Sequence, residues 1–279
     1  MIVRCWGARG SIPISGPEYL RYGGDTTCLE IRTIKDDIII IDAGTGLRRL
    51  GNKLLAENRH QYTMLFTHAH WDHLMGFPFF KPIYIEGTSI ALFGCPYAQS
   101  SIKNMISRIM VSPNFPVNFD DIKTDVTYHE LCETQFTLNS MDITPIALNH
   151  TNQGVGYKLC EAGKSFVFLT DNELDYKHLG GLDYHDYVNF SLQVDLLIHD
   201  AEYEEADYEK TKTWGHSVYK RALQLAIDAR VKKFGLFHHN QERSDAAVDE
   251  IVADCRRIIK EQGANLECFA VHQDMEIHL

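Results

Sequence analysis

Seven consecutive residues, Thr67-His68-Ala69-His70-Trp71-Asp72-His73, place three imidazoles and a carboxylate directly after the apolar run Tyr62-Thr63-Met64-Leu65-Phe66. Imidazole nitrogens and carboxylate oxygens suit Zn²⁺ and its neighbours in the first transition row. A satisfied core histidine accounts for one such residue, not three. The stretch therefore predicts a metal-dependent chemistry whose ligands leave the end of a strand.

Four ligands in one turn make part of a site, and a two-ion site needs a shared carboxylate and further imidazoles from elsewhere. Later strand ends offer them. His150 closes the run Ile143 to Asn149, Asp171 follows Phe166-Val167-Phe168-Leu169-Thr170, and His238-His239 follow Phe234-Gly235-Leu236-Phe237. Loops just past strands are where a rigid scaffold carries function. Taken singly each of these is an ordinary turn or surface residue; taken with the cluster they become candidate ligands.

The elements that must position these residues are legible from periodicity and turn signals. Strands are expected at Ile2 to Trp6, Cys28 to Ile34, Ile38 to Ile41, Met64 to Phe66 and Ser89 to Phe93 in the first half. In the second half they are expected at Gln135 to Leu138, Asp142 to Leu148, Gly156 to Glu161, Ser165 to Leu169, Asp195 to Ile198 and Lys233 to Phe237. Cys268 to Val271 and Met275 to His278 read as closing strands. Leu47, Leu50, Leu54 and Leu55 recur at helical spacing. Further helices are expected over Ser217 to Ala229 and from a cap at Ser244 or Asp245 to near Gly263. Strands and helices mixed in this order predict helices packed outside sheets, in an α/β or α+β layering.

The 279 residues, 44% of them hydrophobic, suffice for a sizeable core, and no linker, repeat or low-complexity tract divides them. A single domain over residues 1–279 is expected. The start, Met1 to Trp6, reads as a strand and lacks a secretory pattern, and the apolar runs are too short to span a bilayer. A soluble cytoplasmic protein without a membrane partner is the expectation. Seven scattered cysteines with no C-x-x-C pair predict reduced thiols rather than a disulfide framework. A formal net charge of −11 disfavours a broad nucleic-acid surface, while two bound divalent ions could still create a local positive pocket for a small anion.

On the motif T-H-A-H-W-D-H the chain resembles the metallo-β-lactamase superfamily, and the likeness extends over nearly its whole length. The segments Trp6-Gly7-Ala8-Arg9-Gly10-Ser11-Ile12-Pro13, Arg21-Tyr22-Gly23-Gly24, Ile41-Asp42-Ala43-Gly44-Thr45-Gly46-Leu47 and Gly215-His216-Ser217 resemble its phosphodiesterase branch, which includes ribonuclease Z and bacterial cyclic phosphodiesterases. The resemblance implies a four-layer αββα sandwich. It implies one ion held by His68, His70 and His150, a second by Asp72, His73 and His238, and Asp171 between them. The ions are expected to be Zn, with Mn or Fe as alternatives. His238 is favoured over His239 because a one-residue shift reverses side-chain direction along a strand.

The pair His199-Asp200 followed by His216 resembles the acid device of the ribonuclease Z group, in which a carboxylate orients a histidine that protonates the leaving oxygen. Asp200 stands where that group usually has Glu, and Asp25 where Asn is expected. The implied catalytic residues are Asp72, Asp200 and His216, with Asp42 a supplier of support to a ligand ring. The implied reaction is attack by a hydroxide bridging the ions on a small phosphodiester, most readily a cyclic nucleotide or other cyclic phosphate.

Three alternatives stand beside this reading. One is an RNA-processing nuclease, disfavoured by charge and by the lack of a basic arm. Another is hydrolysis of a lactone, thioester or β-lactam. The third is a nucleotide-binding module without turnover. The aromatic segment holding Tyr176, His178, Tyr184, His185, Tyr187 and Phe190 is a candidate base stack or pocket cover. The apolar stretches 76–80 and 110–119 are read as a cleft wall, core or homodimer interface. Gly7, Gly10, Gly23 and Gly24 suit a loop at the floor of the metal site or, equally, tight turns.

Overall fold

The computed structural model describes residues 1–97, 100–132 and 134–279. Fourteen strands and seven α-helices alternate along them. The first half contains β1 (Ile2–Gly7), β2 (Cys28–Arg32), β3 (Ile38–Ile41), α1 (Leu47–Ala56), β4 (Gln61–Leu65), α2 (Trp71–Leu74), β5 (Ser89–Gly94), α3 (Ile102–Ser107) and β6 (Asp125–Glu130). The second contains β7 (Phe136–Leu138), β8 (Met141–Ala147), β9 (Val155–Glu161), β10 (Lys164–Leu169), α4 (Tyr184–Phe190), β11 (Leu196–Asp200), α5 (Glu205–Thr211), α6 (Tyr219–Asp228), β12 (Lys233–Phe237), α7 (Asp245–Glu261), β13 (Glu267–Ala270) and β14 (Glu276–His278).

The strands form two seven-stranded sheets, ordered β14-β1-β2-β3-β4-β5-β6 and β13-β12-β11-β10-β9-β8-β7. Each is half antiparallel and half parallel, with the parallel halves running β3-β4-β5-β6 and β13-β12-β11-β10. Three apolar clusters account for the layering. One lies between the sheets, with Ile31, Ile41, Tyr157, Phe166 and Phe237. A second packs α6 and α7 on the outer face of the second sheet, and a third packs α1 and α3 on the outer face of the first. Strands covered on both faces read as continuous apolar runs, which is why Ile38-Ile39-Ile40-Ile41 is buried throughout. The result is the expected αββα sandwich.

Parallel strands in such sheets present their carboxyl ends to one edge, where ligands bind in open α/β folds. β3, β4, β10, β11 and β12 all end there, and three residues just past them turn back in the left-handed region: Asp42 (φ 61°), Asp171 (φ 50°) and His238 (φ 58°). Such backbone is uncommon for residues other than glycine and concentrates at functional sites.

The helices obey their sequence signals. α7 buries Val248, Ile251, Val252, Cys255 and Ile259 on one stripe, and the Ser244 hydroxyl caps it by accepting from Ala247 N at 3.3 Å. β6 lies outside the expected strands: only Val126 and Tyr128 alternate inward, half-buried on the outer core, in an otherwise polar edge strand. The short helices α2 to α5 were likewise not expected, at four to seven residues each.

One expectation needs correction, and among the readings of the apolar stretches the core one holds for part of them. Cys95, just past β5, and Cys132, just past β6, form a disulfide, with Cα atoms 4.6 Å apart, so not every thiol is free. Adjacent parallel strands bring together cysteines that are 37 residues apart in sequence, which spacing alone does not reveal. The stretches 76–80 and 110–119 bury Phe77, Phe80, Met110 and Phe119 in the outer core of the first sheet, while Phe79, Phe115 and Val117 line a separate apolar groove. They do not wall the metal-site cleft. No helix among the described residues is long and apolar enough to cross a membrane.

Candidate metal centre

Asp42 and Thr67 fix the loop after β4. The Asp42 carboxylate accepts from Thr67 N at 2.8 Å, from Thr67 Oγ1 at 2.7 Å and from His73 Nδ1 at 2.7 Å. With Nδ1–H committed, His73 points Nε2 inward. His68 donates from Nδ1 to Thr67 Oγ1 at 3.1 Å, with the same consequence. Both Nε2 atoms are buried and have no hydrogen-bond partner.

The remaining imidazoles are oriented in the same manner. His150 Nδ1 donates to Gly215 O at 3.0 Å, and His238 Nδ1 donates to Glu202 Oε2 at 2.8 Å. Asn152 Nδ2 lies 3.0 Å from His70 Nε2, so His70 turns Nδ1 inward, 3.0 Å from His150 Nε2. Two glycines let the rings lie where they do. A Cβ at Gly10 would stand 2.3 Å from His238 Nδ1, and one at Gly215 (φ 97°) would stand 2.1 Å from His150 Nδ1.

Two groups of donor atoms result, each with all members within 4.8 Å of one another: His68, His70, His150 and Asp171, then Asp72, His73, Asp171 and His238. Asp171 belongs to both. Its Oδ2 lies 3.4 Å from His68 Nε2, 3.8 Å from His150 Nε2 and 3.5 Å from His238 Nε2, and its Oδ1 is 3.2 Å from His73 Nε2. Asp72 Oδ2 lies 3.3 Å from His73 Nε2 and 3.1 Å from His238 Nε2, and accepts from Ser11 N at 2.9 Å.

The electrostatics differ between the two groups: burial would lower His73 and His238, but the carboxylates of Asp171 and Asp72 prevail and hold both well above the ordinary imidazole value, so an ion bound there would displace a proton from each. Burial pushes the His68 pKa well below its ordinary value and that of His150 down to about 3, leaving neutral imidazoles. Burial would raise Asp171, but His238 and His73 outweigh it and hold the carboxyl well below its usual range. Buried carboxylates, inward-facing imidazole nitrogens and two orphaned Nε2 atoms form a set that divalent cations satisfy. The residues fit two such ions.

Beside these groups lies a third, Asp200, His216 and His238. His216 donates from Nδ1 to Asp200 Oδ2 at 2.8 Å, has Glu202 Oε2 at 3.4 Å, and stacks on His238 with ring centroids 4.7 Å apart. Burial alone would lower its pKa; the carboxylates of Glu202 and Asp200 prevail and push it up to about 9. His216, Asp72, Asp171, His70, Trp71 and Ser11 line one cleft of about 440 Å³.

The structure thus brings together all nine residues singled out by sequence, and it places His239 elsewhere, donating from Nε2 to Val271 O at 2.8 Å. His199 is buried away from the cleft, bonded to Asp200 O and the Asn172 side chain. Asp25 accepts from Thr45 Oγ1 at 3.0 Å and stitches the 24–27 loop to the start of α1 without joining the cluster. In the aromatic segment Tyr187 is fully buried and Phe190 packs against the core, so neither is free to stack a ligand.

Two buried carboxylates escaped the sequence reading. Glu202 holds His238, and Glu173 accepts from Gly215 N at 2.8 Å, Thr213 N at 2.8 Å, Tyr208 OH at 2.7 Å and His178 Nε2 at 2.7 Å. Each stands two residues beyond a recognised site residue, Asp200 and Asp171. Asp171 lies past the end of its strand in the left-handed region, so strand periodicity does not mark Glu173 in the sequence.

The comparisons with known proteins agree with this geometry. The beta-lactamase superfamily domain matches residues 38–239, and the chain belongs to that superfamily. Curated relatives of the chain include ribonuclease Z enzymes. Ribonuclease Z of Picrophilus torridus is 23% identical over 252 residues, covering 75% of this chain and 79% of that one. The metallo-beta-lactamase fold protein YhfI from Bacillus subtilis superposes with a TM-score of 0.73 at 15% identity, over 99% of this chain and 98% of its own. A diphosphatase from the PhnP family superposes with a TM-score of 0.70 at 15% identity, over 100% and 97% respectively.

Proposed function

We propose that the chain is a two-ion phosphodiesterase acting on a small phosphodiester, a cyclic nucleotide or other cyclic phosphate, with His216 as the general acid. The observation that carries this reading is the position of His216. Its Nδ1 is committed to Asp200 and its ring lines the cleft beside the two donor groups, so Nε2 is the nitrogen available to a leaving oxygen. A cyclic phosphate leaves as a strongly basic alkoxide, the kind of group that needs a proton in the transition state.

His68, His70 and His150 would hold one ion, Asp72, His73 and His238 the other, and Asp171 both. When bound, such ions supply Lewis acidity toward a phosphoryl oxygen and make water nucleophilic near neutral pH. Zn is the expected metal, and Mn or Fe can use the same nitrogen and oxygen donors. The chain's own residues hold this arrangement rigid: Asp42 aligns His73, Glu202 aligns His238, and the Gly215 carbonyl aligns His150. Asp200 accepts from His216 Nδ1 and stabilises the imidazolium, whose transferable proton is on Nε2.

Substrate size follows from the cleft and the charge. A cleft of about 440 Å³ suits a nucleotide-sized ligand, and a net charge of −11 opposes a long polyanion. A second reading, cleavage of RNA, is favoured by the ribonuclease Z relatives. Metal-loaded protein assayed against bis(4-nitrophenyl) phosphate, a panel of cyclic nucleotides and a tRNA precursor separates the two. Turnover of cyclic nucleotides without tRNA cleavage supports the first reading; salt-sensitive tRNA cleavage supports the second. Activity on none of these, with two ions per chain, sinks both.

A further inference from the structure

The chain has three tryptophans, and their surroundings differ sharply. Trp6 is buried, donates to Glu30 Oε2 at 2.9 Å and lies beneath Arg49 and Lys53. Trp71 and Trp214 are 75% and 60% exposed. Among the described residues neither indole makes a hydrogen bond, a ring contact or a cation contact. Burial is the main contribution an indole makes to stability, and these two forgo it.

Both stand on segments that build the metal centre. Trp71 lies between His70 and Asp72 and lines the cleft itself. Trp214 immediately precedes Gly215, whose carbonyl aligns His150, and His216. Ile12, 53% exposed, follows the cleft residue Ser11, so apolar surface meets water from three sides of the sequence that forms the centre. None of the aromatic residues that sequence pattern favours for stacking is among those lining the cleft: Tyr187 is buried, His178 is bound to Glu173, and Tyr176, 40% exposed, lies edge-on to His178.

We propose that Trp71, which lines the cleft, is the stacking platform for a nucleobase of the substrate, which makes this a nucleotide-selective cleft rather than a general phosphodiester site. The proposal rests on the phosphodiesterase reading above and adds the group that the substrate carries beside its phosphate. On an acidic protein a base is recognised by its π-face without a basic groove. Stacking tolerates either purine or pyrimidine, since every base has such a face.

The test compares a nucleoside cyclic phosphate with the corresponding methyl riboside cyclic phosphate, which lacks the base. The readout is the ratio of their kcat/KM values in metal-loaded wild type, Trp71→Ala and Trp71→Phe. Stacking on one aromatic ring predicts that Trp71→Ala lowers this ratio roughly 5- to 150-fold through KM, and that Trp71→Phe restores most of it. An unchanged ratio overturns the proposal, and a changed oligomeric state alongside it assigns the patch to contact between copies.

Intrinsic fluorescence supplies a readout apart from turnover. A nucleoside monophosphate should quench the exposed indoles, ribose 5-phosphate should not, and Trp71→Ala should lose most of the quenching. If wild type hydrolyses neither cyclic phosphate, the phosphodiesterase reading fails, and quenching alone then decides the platform: base-dependent quenching supports it and its absence overturns it.

Discussion

Replacing His216 with Ala removes the proposed proton donor while leaving its surroundings largely bonded. Asp200 keeps the amides of Glu202 at 3.0 Å and Asn172 at 3.3 Å. His238 loses the stacked ring yet keeps Glu202 at 2.8 Å, so both donor groups should retain their ions. The deficit should therefore fall on proton transfer. General acid catalysis is worth about 10²–10⁴-fold, or roughly 3–5 kcal/mol of activation free energy. That loss should appear with a cyclic nucleotide, whose leaving alkoxide is strongly basic. It should shrink to less than about tenfold with bis(4-nitrophenyl) phosphate, whose leaving phenolate needs little help. Steady-state kinetics on both substrates, with metal content measured on the same sample, reads the difference. Equal losses on the two substrates at full metal content would refute the assignment of His216 as acid.

Four further outcomes follow from the geometry. His216 is raised to about 9 and carries its proton below that value, so kcat on a cyclic nucleotide should hold through neutral pH and fall as pH rises past about 9. Asp200→Asn should move this alkaline limb downward, costing up to about tenfold at pH 7.5 if the ring returns to its ordinary value near 6.5. Gly10→Ala should displace His238 and deplete the ion held with Asp72 and His73, whereas Gly215→Ala should displace His150 and deplete the other; metal analysis of each variant distinguishes them. Removing the Cys95–Cys132 link by Cys95→Ser should destabilise the fold by about 4 kcal/mol in the chain-entropy account, read as a shift of the urea midpoint.

The sequence carried much of the centre because its ligands are chemically rare in such spacing and follow apolar runs that end at one sheet edge. The strand cores, α1, α6 and α7 were legible for the same reason, since burial imposes a period that the residues display. What escaped was whatever depends on partners distant in sequence. β6 is a polar edge strand whose pairing with β5 comes from the backbone. Cys95 and Cys132 meet only because those two strands are neighbours. Glu173 and Glu202 resemble any acidic residue until the loop of Gly215 and the ring of His238 arrive from about 40 residues away, as loop closure on a formed sheet requires. The preference for His238 over His239 was legible from side-chain alternation, and the two rings do part, His238 toward Asp72 and His239 toward Val271 O.

The central claim is a two-ion site that hydrolyses a small phosphodiester. The most direct measurement is product analysis of a cyclic nucleotide incubated with protein whose ions have been counted. Two ions per chain and conversion to the nucleoside monophosphate are the expected result. Two bound ions with no phosphodiester turnover, alongside hydrolysis of a lactone or thioester, would contradict it.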